Sequence, residues 1–181
     1  MPVTVPRYTL QDLNSFPDDG NRYELLDGIL LVTPAPELPH QRVVWRLLGL
    51  LSAYLASDRS AEVFSPGSVE VEPNIHLEPD LLVVPATALP AELDVEQRWT
   101  GIRQWWLAVE VSGKSKIYDR DHKTPAYLNL GVREVWRVDL RERLVFVSHL
   151  GQLDQPQAAS VTWLPPTRQD PLVISVPQLF A

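Results

Sequence analysis

The sequence predicts a single mixed α/β (α+β) domain, residues 1–181, in which helices flank a mixed central β-sheet. Three observations support this prediction. The predicted elements run helix, strands, helix, strands, the length of 181 residues fits one domain, and a hydrophobic content of 45% suffices for a sizeable core. The chain contains no internal repeat and no linker long enough to separate two domains.

The first third of the chain predicts a short helix, a hairpin and a long helix. Residues 9–13 predict the short helix, with Thr9 as its cap. Asp27-Gly28 between two apolar runs indicates a tight β-hairpin. Residues 40–56 predict an amphipathic helix, because apolar side chains recur there at intervals of three or four: Val43, Val44, Leu47, Leu48, Leu51, Tyr54 and Leu55.

The rest of the chain predicts mainly strands. An all-apolar run at 81–84 is typical of an interior strand, and 105–111 is the expected central strand. A second helix is predicted over 118–130, with Pro125 in its first turns and Gly131 at its end. The other predicted strands are two short ones around Ser65-Pro66-Gly67, a hairpin of 134–138 with 144–147, and short strands near Val161 and at 172–175.

Composition limits the classes of partner. The sequence has no cysteine, so disulfides and thiolate metal sites are excluded, and it has no apolar stretch of membrane-helix length and no secretory signal pattern. A cytoplasmic protein without a membrane partner is therefore expected. The net charge of −7 argues against strong non-specific binding to duplex nucleic acid, although a local basic cleft is compatible with it.

Two carboxylates stand beside predicted buried strands. Glu110 lies inside the apolar run 107–111. Burying a carboxylate there costs several kcal/mol unless a cation, a metal or hydrogen bonds compensate. Asp80 directly precedes the run 81–84. If the two strands are neighbours, both carboxylates can converge on one hard cation such as Mg²⁺. The alternative for each acid alone is a structural role, in a turn or in an ion pair with a buried arginine.

Lys123 is the basic residue expected to complete this set. A lysine there would neutralise a scissile phosphate or orient a water molecule beside the metal. Lys114 and Lys116 compete for the role, because they are closer to Glu110 in sequence. A solvated position on the helix surface is the alternative for Lys123.

Three further residues are accessory candidates. Glu24 is either another acid near the metal or an outward strand residue. His40, at the start of the long helix, is either a residue that reaches the site or a structural or solvated histidine. Asp119 is either a helix cap or a site residue.

The tryptophans at 99, 105, 106 and 136 are aromatic candidates for base stacking, although most tryptophans of a domain this size belong to the core.

Six segments in order resemble one protein family. They are 22–28 with the sequence RYELLDG, Pro39-His40-Gln41, 78–84 with EPDLLVV, 108–112 with AVEVS, 119–123 with DRDHK, and 130–139 with LGVREVWRVD. Together these segments, spread over about residues 8–150, resemble the Uma-type family of predicted bacterial restriction endonucleases, in the PD-(D/E)XK nuclease superfamily.

This resemblance implies a restriction-endonuclease-like core and hydrolysis of phosphodiester bonds that depends on Mg²⁺ or Mn²⁺, with nucleic acid, and DNA in particular, as the expected substrate. It implies that Asp80, Glu110 and the backbone carbonyl of Val111 are metal ligands and that Lys123 is the catalytic lysine. Ser112 occupies the position where the superfamily usually has its lysine. A homodimer is expected for cutting two strands, since that requires two sites.

The chain also departs from the family pattern. Gly113-Lys114-Ser115 follows Ser112 where the family usually has a Ser-Pro-Ser-Thr-like turn, and Thr124-Pro125 follows Lys123. An alternative function is therefore a catalytically silent homologue that acts as a binding or assembly module. The net charge and the serine at position 112 favour that alternative.

Overall fold

A computed structural model describes residues 5–92, 94–113, 116–152 and 154–181. The strands are β1 Arg22–Leu26, β2 Ile29–Thr33, β3 Ala61–Phe64, β4 Val69–Val71, β5 Ile75–Leu77, β6 Leu81–Pro85, β7 Trp105–Ser112, β8 Val132–Asp139, β9 Leu144–Ser148, β10 Gln155–Gln157, β11 Ser160–Trp163 and β12 Leu172–Ser175. The largest sheet has six strands in the order β10-β9-β8-β7-β6-β3, and a second sheet has four strands in the order β2-β1-β5-β4. Strands β11 and β12 form a separate pair.

The six-stranded sheet is mixed, as predicted. Strand β7 is antiparallel to β6 and parallel to β8, so the chain must cross over between β7 and β8. All eight residues of β7 are buried, which confirms it as the central strand. Strands β5 and β10 were not predicted, because each has only three residues and includes polar side chains.

The helices are α1 Leu10–Leu13, α2 Leu38–Leu55, α3 Lys116–Tyr118, α4 Thr124–Asn129 and α5 Val176–Leu179. The predicted long helix is confirmed in α2. Its buried residues, Val43, Leu47, Leu51 and Leu55, belong to a core that includes the inward face of the large sheet. Pro39 fits the first turn of α2, where a missing N–H costs no helical hydrogen bond. No helix in the described ranges has the length and apolar character needed to span a membrane.

The predicted helix over 118–130 is not a continuous α-helix. A π-helical turn, Asp119–Lys123, separates α3 from α4. Pro125 has no N–H to donate to the preceding turn, which interrupts the α-helical hydrogen-bond pattern. The hydroxyl of Thr124 instead donates to the Asp119 carbonyl at 2.8 Å. The wider turn leaves Asp119 and Lys123 both buried.

The turn 65–67 fixes the start of β6. Gly67 donates its N–H to the Pro79 carbonyl at 3.1 Å, and Ser65 Oγ donates to the Asp80 carbonyl at 3.0 Å. The backbone of Gly67 also approaches Leu82 so closely that a Cβ at position 67 would lie 2.1 Å from Leu82 Cβ. The turn therefore requires a residue without a side chain.

We expect Gly67→Ala to lower the free energy of unfolding by about 1–3 kcal/mol, since the added methyl group forces Leu82 or the turn to shift. Gly49→Ala in α2 is the matched control, because a Cβ at position 49 meets no atom within 4 Å. That control should gain stability by about 0.5–1 kcal/mol from helix propensity. Urea unfolding monitored by tryptophan fluorescence measures both. Equal effects of the two changes would contradict the close approach at Gly67.

Strand β5 carries a half-buried histidine between two carboxylates. The ring nitrogens of His76 lie 3.2 Å from Glu70 Oε1 and 3.1 Å from Glu78 Oε1. Burial alone would lower the pKa of His76, but the hydrogen bonds and charges of Glu70 and Glu78 outweigh it and raise that pKa from 6.5 to about 9. Protonated His76 therefore ties β5 to β4 and to the chain leading to Asp80.

A raised histidine pKa stabilises the folded state fully below the unfolded pKa of 6.5, and this stabilisation disappears as the pH rises through about 9. We expect the free energy of unfolding to fall over that window by up to about 3 kcal/mol, since one pKa unit corresponds to about 1.4 kcal/mol. His76→Gln should remove most of this pH dependence, whereas His122→Gln, at an exposed position, should retain it. Urea titrations across the pH range test this, and an unchanged slope in His76→Gln would refute it.

Candidate active site

The two carboxylates singled out in the sequence lie on neighbouring strands. Leu81 of β6 pairs with Val109 of the antiparallel β7, so the next step along both strands sets Asp80 opposite Glu110. The backbone N–H of Val111 donates to Asp80 Oδ2 at 2.8 Å. Both carboxylates are buried, with exposed fractions of 3% and 4%.

A cavity of about 380 Å³ opens at these strand ends. The sequence-predicted site residues that line it are Glu24, His40, Asp80, Glu110, Val111, Asp119 and Lys123. Glu24 comes from β1, His40 from α2, and Asp119 and Lys123 from the π-helical turn. The structure thus brings together every described residue of the predicted set. Lys114 and the side chain of Lys116 lie outside the described part of the chain.

Asp80 is held by three hydrogen-bond donors. Arg22 Nη1 donates to Oδ1 at 2.8 Å, and His40 Nε2 lies 2.9 Å from Oδ2, which also accepts the Val111 N–H. Burial by itself would raise the pKa of Asp80, but the hydrogen bond from His40 and the positive charges of His40 and Arg22 outweigh it and lower the pKa. Asp80 is therefore an ionised carboxylate at neutral pH.

Glu110 has the opposite electrostatic environment. Burial raises its pKa well above the ordinary value; Lys123 opposes this rise, and the charges of Asp119, Asp80 and Glu24 add to it. Glu110 Oε1 accepts a hydrogen bond from the Tyr127 hydroxyl at 2.7 Å and lies 3.3 Å from Lys123 Nζ. Glu110 is thus the carboxylate for which an additional positive charge would be most stabilising.

Lys123 is a buried ammonium shared by two carboxylates. Its Nζ lies 2.7 Å from Glu24 Oε2 and 3.3 Å from Glu110 Oε1. Burial would lower the pKa of Lys123, but the charges of Glu110 and Glu24 outweigh it and raise that pKa, so the side chain stays charged. Glu24 is itself fixed, since its Oε1 accepts the backbone N–H of Glu78 at 2.7 Å.

The sequence reasoning missed two residues of the site, Arg22 and Tyr127. A signal existed for each. Arg22 precedes Glu24 by two positions in a strand, so the two side chains share one face. Tyr127 follows Lys123 by four positions on a helical segment, which also gives a shared face. The contacts of Arg22 with Asp80 and of Tyr127 with Glu110 follow from the pairing of β6 with β7, which these spacings alone do not predict.

The donor set of this cavity fits a hard divalent cation. Within the described residues, no group of three or more His, Cys, Asp or Glu side chains is arranged to hold a metal ion. Two carboxylates with one backbone carbonyl and waters are nevertheless the ligand class that Mg²⁺ takes in proteins. Five acidic side chains line the described part of the cavity (Glu24, Glu37, Asp80, Glu110 and Asp119), against three basic ones (Arg22, His40 and Lys123). This surplus of negative charge favours a bound cation.

We expect Lys123→Met to lower the free energy of unfolding by about 3–5 kcal/mol, because it leaves Glu24 and Glu110 buried without their shared ammonium. The double variant Lys123→Met/Glu24→Gln should recover part of the loss, since one buried charge is removed as well. Urea unfolding at neutral pH measures both. A single variant as stable as wild type would contradict the role of Lys123 in charge compensation.

Comparison with known proteins identifies the family and the fold of this chain. Residues 10–179 match the model of the Uma2 family, described as "Putative restriction endonuclease". The fold is similar to a crystal structure from Anabaena variabilis described as "a putative nuclease belonging to DUF820", with a TM-score of 0.77 and 18% identity over 99% of this chain and 98% of that one. Among curated proteins, none matches this chain with significant sequence similarity. The resemblance and the fold class predicted from the sequence are confirmed, and the chain belongs to the Uma2 family.

Proposed function

We propose that this protein is a divalent-metal-dependent endonuclease that hydrolyses phosphodiester bonds of nucleic acid, with DNA as the expected substrate. The observation that carries the proposal is the adjacency of Asp80 and Glu110 at the ends of β6 and β7, with Lys123 in the same cavity. The description of the family and that of the Anabaena protein support nuclease activity.

Asp80, Glu110 and the carbonyl of Val111 would hold the cation, Mg²⁺ or Mn²⁺. A cation bound there supplies two things, a lowered pKa for a water ligand and polarisation of the phosphate. The low pKa of Asp80 supports its assignment as a ligand, because an ionised oxygen is available at neutral pH without further cost. The raised pKa of Glu110 agrees with a carboxylate that needs a counter-charge.

The protein's own cations would orient the substrate. Lys123 would donate hydrogen bonds to the scissile phosphate or to the attacking water, while Glu24 fixes the direction of its side chain at 2.7 Å. Arg22 would contact a neighbouring phosphate oxygen, since its side chain is 24% exposed and it faces Asp80. His40 would keep Asp80 oriented through the contact at 2.9 Å. A homodimer in the cytoplasm would provide two such sites for the two strands of a duplex.

A second candidate function is a catalytically silent module for binding or assembly. Two observations favour it. Ser112, which is buried, occupies the position where the superfamily usually has its lysine. Asp80 and Glu110 are also already paired with protein donors, so a cation must displace some of those contacts.

We expect purified protein with Mg²⁺ or Mn²⁺ to cut DNA, and Asp80→Asn and Glu110→Gln each to lower the cutting rate by about 100-fold or more, the loss typical of removing one electrostatic contact to the transition state. Glu62→Gln, at an exposed position on β3, is the matched control and should cut like wild type. Circular dichroism verifies that each variant is folded.

The same proteins test metal binding directly. The melting temperature of wild type should rise with Mg²⁺, because a ligand at 100 times its Kd stabilises by about 2.7 kcal/mol, and Asp80→Asn should lose this rise. Cutting that persists in both carboxylate variants would remove these residues from the mechanism. A folded wild type that shows neither cutting nor a metal-dependent melting shift would favour the silent module.

A further inference from the structure

One tryptophan of this protein lies on the surface beside the candidate active site. Trp105, Trp106, Trp136 and Trp163 are buried in the cores, and Trp99 is half-buried. Trp45, on α2, is 73% exposed. An indole buries a large apolar area when it is packed, so its exposure forgoes more stabilisation than that of most side chains. The exposed indole of Trp45 is therefore available to bind a partner outside the described fold.

Trp45 lines a groove of about 250 Å³ that shares four lining residues with the cavity of the candidate active site. Gln41, Val44 and Leu48 of α2 line it together with Trp45, and Ser65 and Pro66 line it from the turn before β6. Arg22, Pro36, His40 and Asp80 border both the groove and the cavity. A ligand that reaches Asp80 from this side therefore passes the face of α2 that carries Trp45.

The groove combines an aromatic wall with polar groups at its edge. Gln41 precedes Trp45 by one helical turn and is exposed, so its amide can meet a ligand edge. His40 Nδ1 is buried and has no hydrogen-bond partner in the described part of the chain, which leaves an unused polar atom at the border with the cavity. A flat ring with polar edges matches these features better than a purely apolar ligand does.

We infer that Trp45 is the stacking platform of a subsite that takes one unpaired nucleobase of the substrate strand, next to the phosphate that enters the cavity. This inference rests on the proposed function and specifies its substrate as single-stranded nucleic acid, or a duplex with an unpaired base at the cut. A base can stack on a side chain only when it has left its own stack, and such stacking tolerates any base.

The charge of the protein also favours a substrate contact through base stacking. Duplex binding depends mainly on Lys and Arg contacts to phosphates, and this chain has 16 Lys and Arg against 23 Asp and Glu. The three basic side chains that line the described part of the cavity, Arg22, His40 and Lys123, are all paired with carboxylates. Charge therefore contributes little to the attraction of a strand at this cavity, and base stacking is a contact that the exposed indole offers independently of charge.

Binding of a short single-stranded oligodeoxynucleotide, without divalent cation, tests the subsite. We expect the oligonucleotide to quench the fluorescence of wild type, because the exposed indole would be the one covered. Trp45→Ala should weaken binding about tenfold, measured by fluorescence anisotropy of a labelled strand, within the range of base–aromatic stacking. Trp45→Phe should keep most of the affinity but lose the quenching. Leu50→Ala, at another exposed apolar position of α2, is the matched control and should bind like wild type.

Comparing the affinities for paired and unpaired strands separates base stacking from other roles of Trp45. The preference of wild type for a single strand, or for a duplex with a bulged base, over a fully paired duplex should disappear in Trp45→Ala. The inference is overturned if wild type binds no oligonucleotide, if Trp45→Ala binds like wild type, or if it loses affinity equally for paired and unpaired strands. It is also overturned if sedimentation shows that Trp45→Ala converts a dimer to a monomer, since α2 would then contact a second copy of this chain.

Cutting assays run in parallel keep the two proposals apart. A wild type that cuts DNA with Mg²⁺ but binds independently of Trp45 overturns the stacking subsite and leaves the nuclease intact. A wild type that binds unpaired strands through Trp45 and never cuts supports the subsite and overturns the nuclease activity.

Discussion

The ammonium group of Lys123, placed between Glu24 and Glu110, is the interaction on which the site depends. Two buried carboxylates so close to Asp80 would repel one another without a cation among them. Three parts of the fold are tied together by this one group: β1 through Glu24, β7 through Glu110, and the π-helical turn through Lys123 itself. The four-stranded sheet, which contains β1, and the six-stranded sheet, which contains β7, are thereby joined at the same point.

The π-helical turn is the local feature that makes this contact. Thr124 and Pro125 interrupt the α-helical pattern, and the wider turn leaves Asp119 and Lys123 buried rather than solvated. Ser112, the last residue of β7, is also buried. A lysine from the helix thus supplies the positive charge that the strand lacks. The same helix contributes Tyr127, so two successive turns converge on Glu110.

Much of this could be predicted from the sequence, for identifiable reasons. The apolar runs around Asp80 and Glu110 indicate buried strands, and a buried acid implies a compensating partner. Periodicity does not reveal which strands are neighbours, so the roles of Arg22 and Tyr127 stayed hidden until β6 and β7 were seen to pair. Strand β5 was missed because three residues are too few for a pattern, yet it carries His76 and leads to Glu78, whose N–H fixes Glu24. Trp45 was missed because a tryptophan on an amphipathic helix is ordinarily a core residue.

Charge balance links the proposed cation to the proposed substrate. Arg22 and Lys123 currently neutralise Asp80, Glu110 and Glu24, so neither has a full positive charge available for a phosphate. A divalent cation held by Asp80 and Glu110 would take over that neutralisation. Arg22 would then face the cavity with a positive charge that Asp80 no longer compensates, whereas Lys123 would stay paired with Glu24 at 2.7 Å. The cavity of an acidic protein would in this way attract a phosphate more strongly once its cation is bound, while the base beside that phosphate stacks on Trp45 with or without the cation.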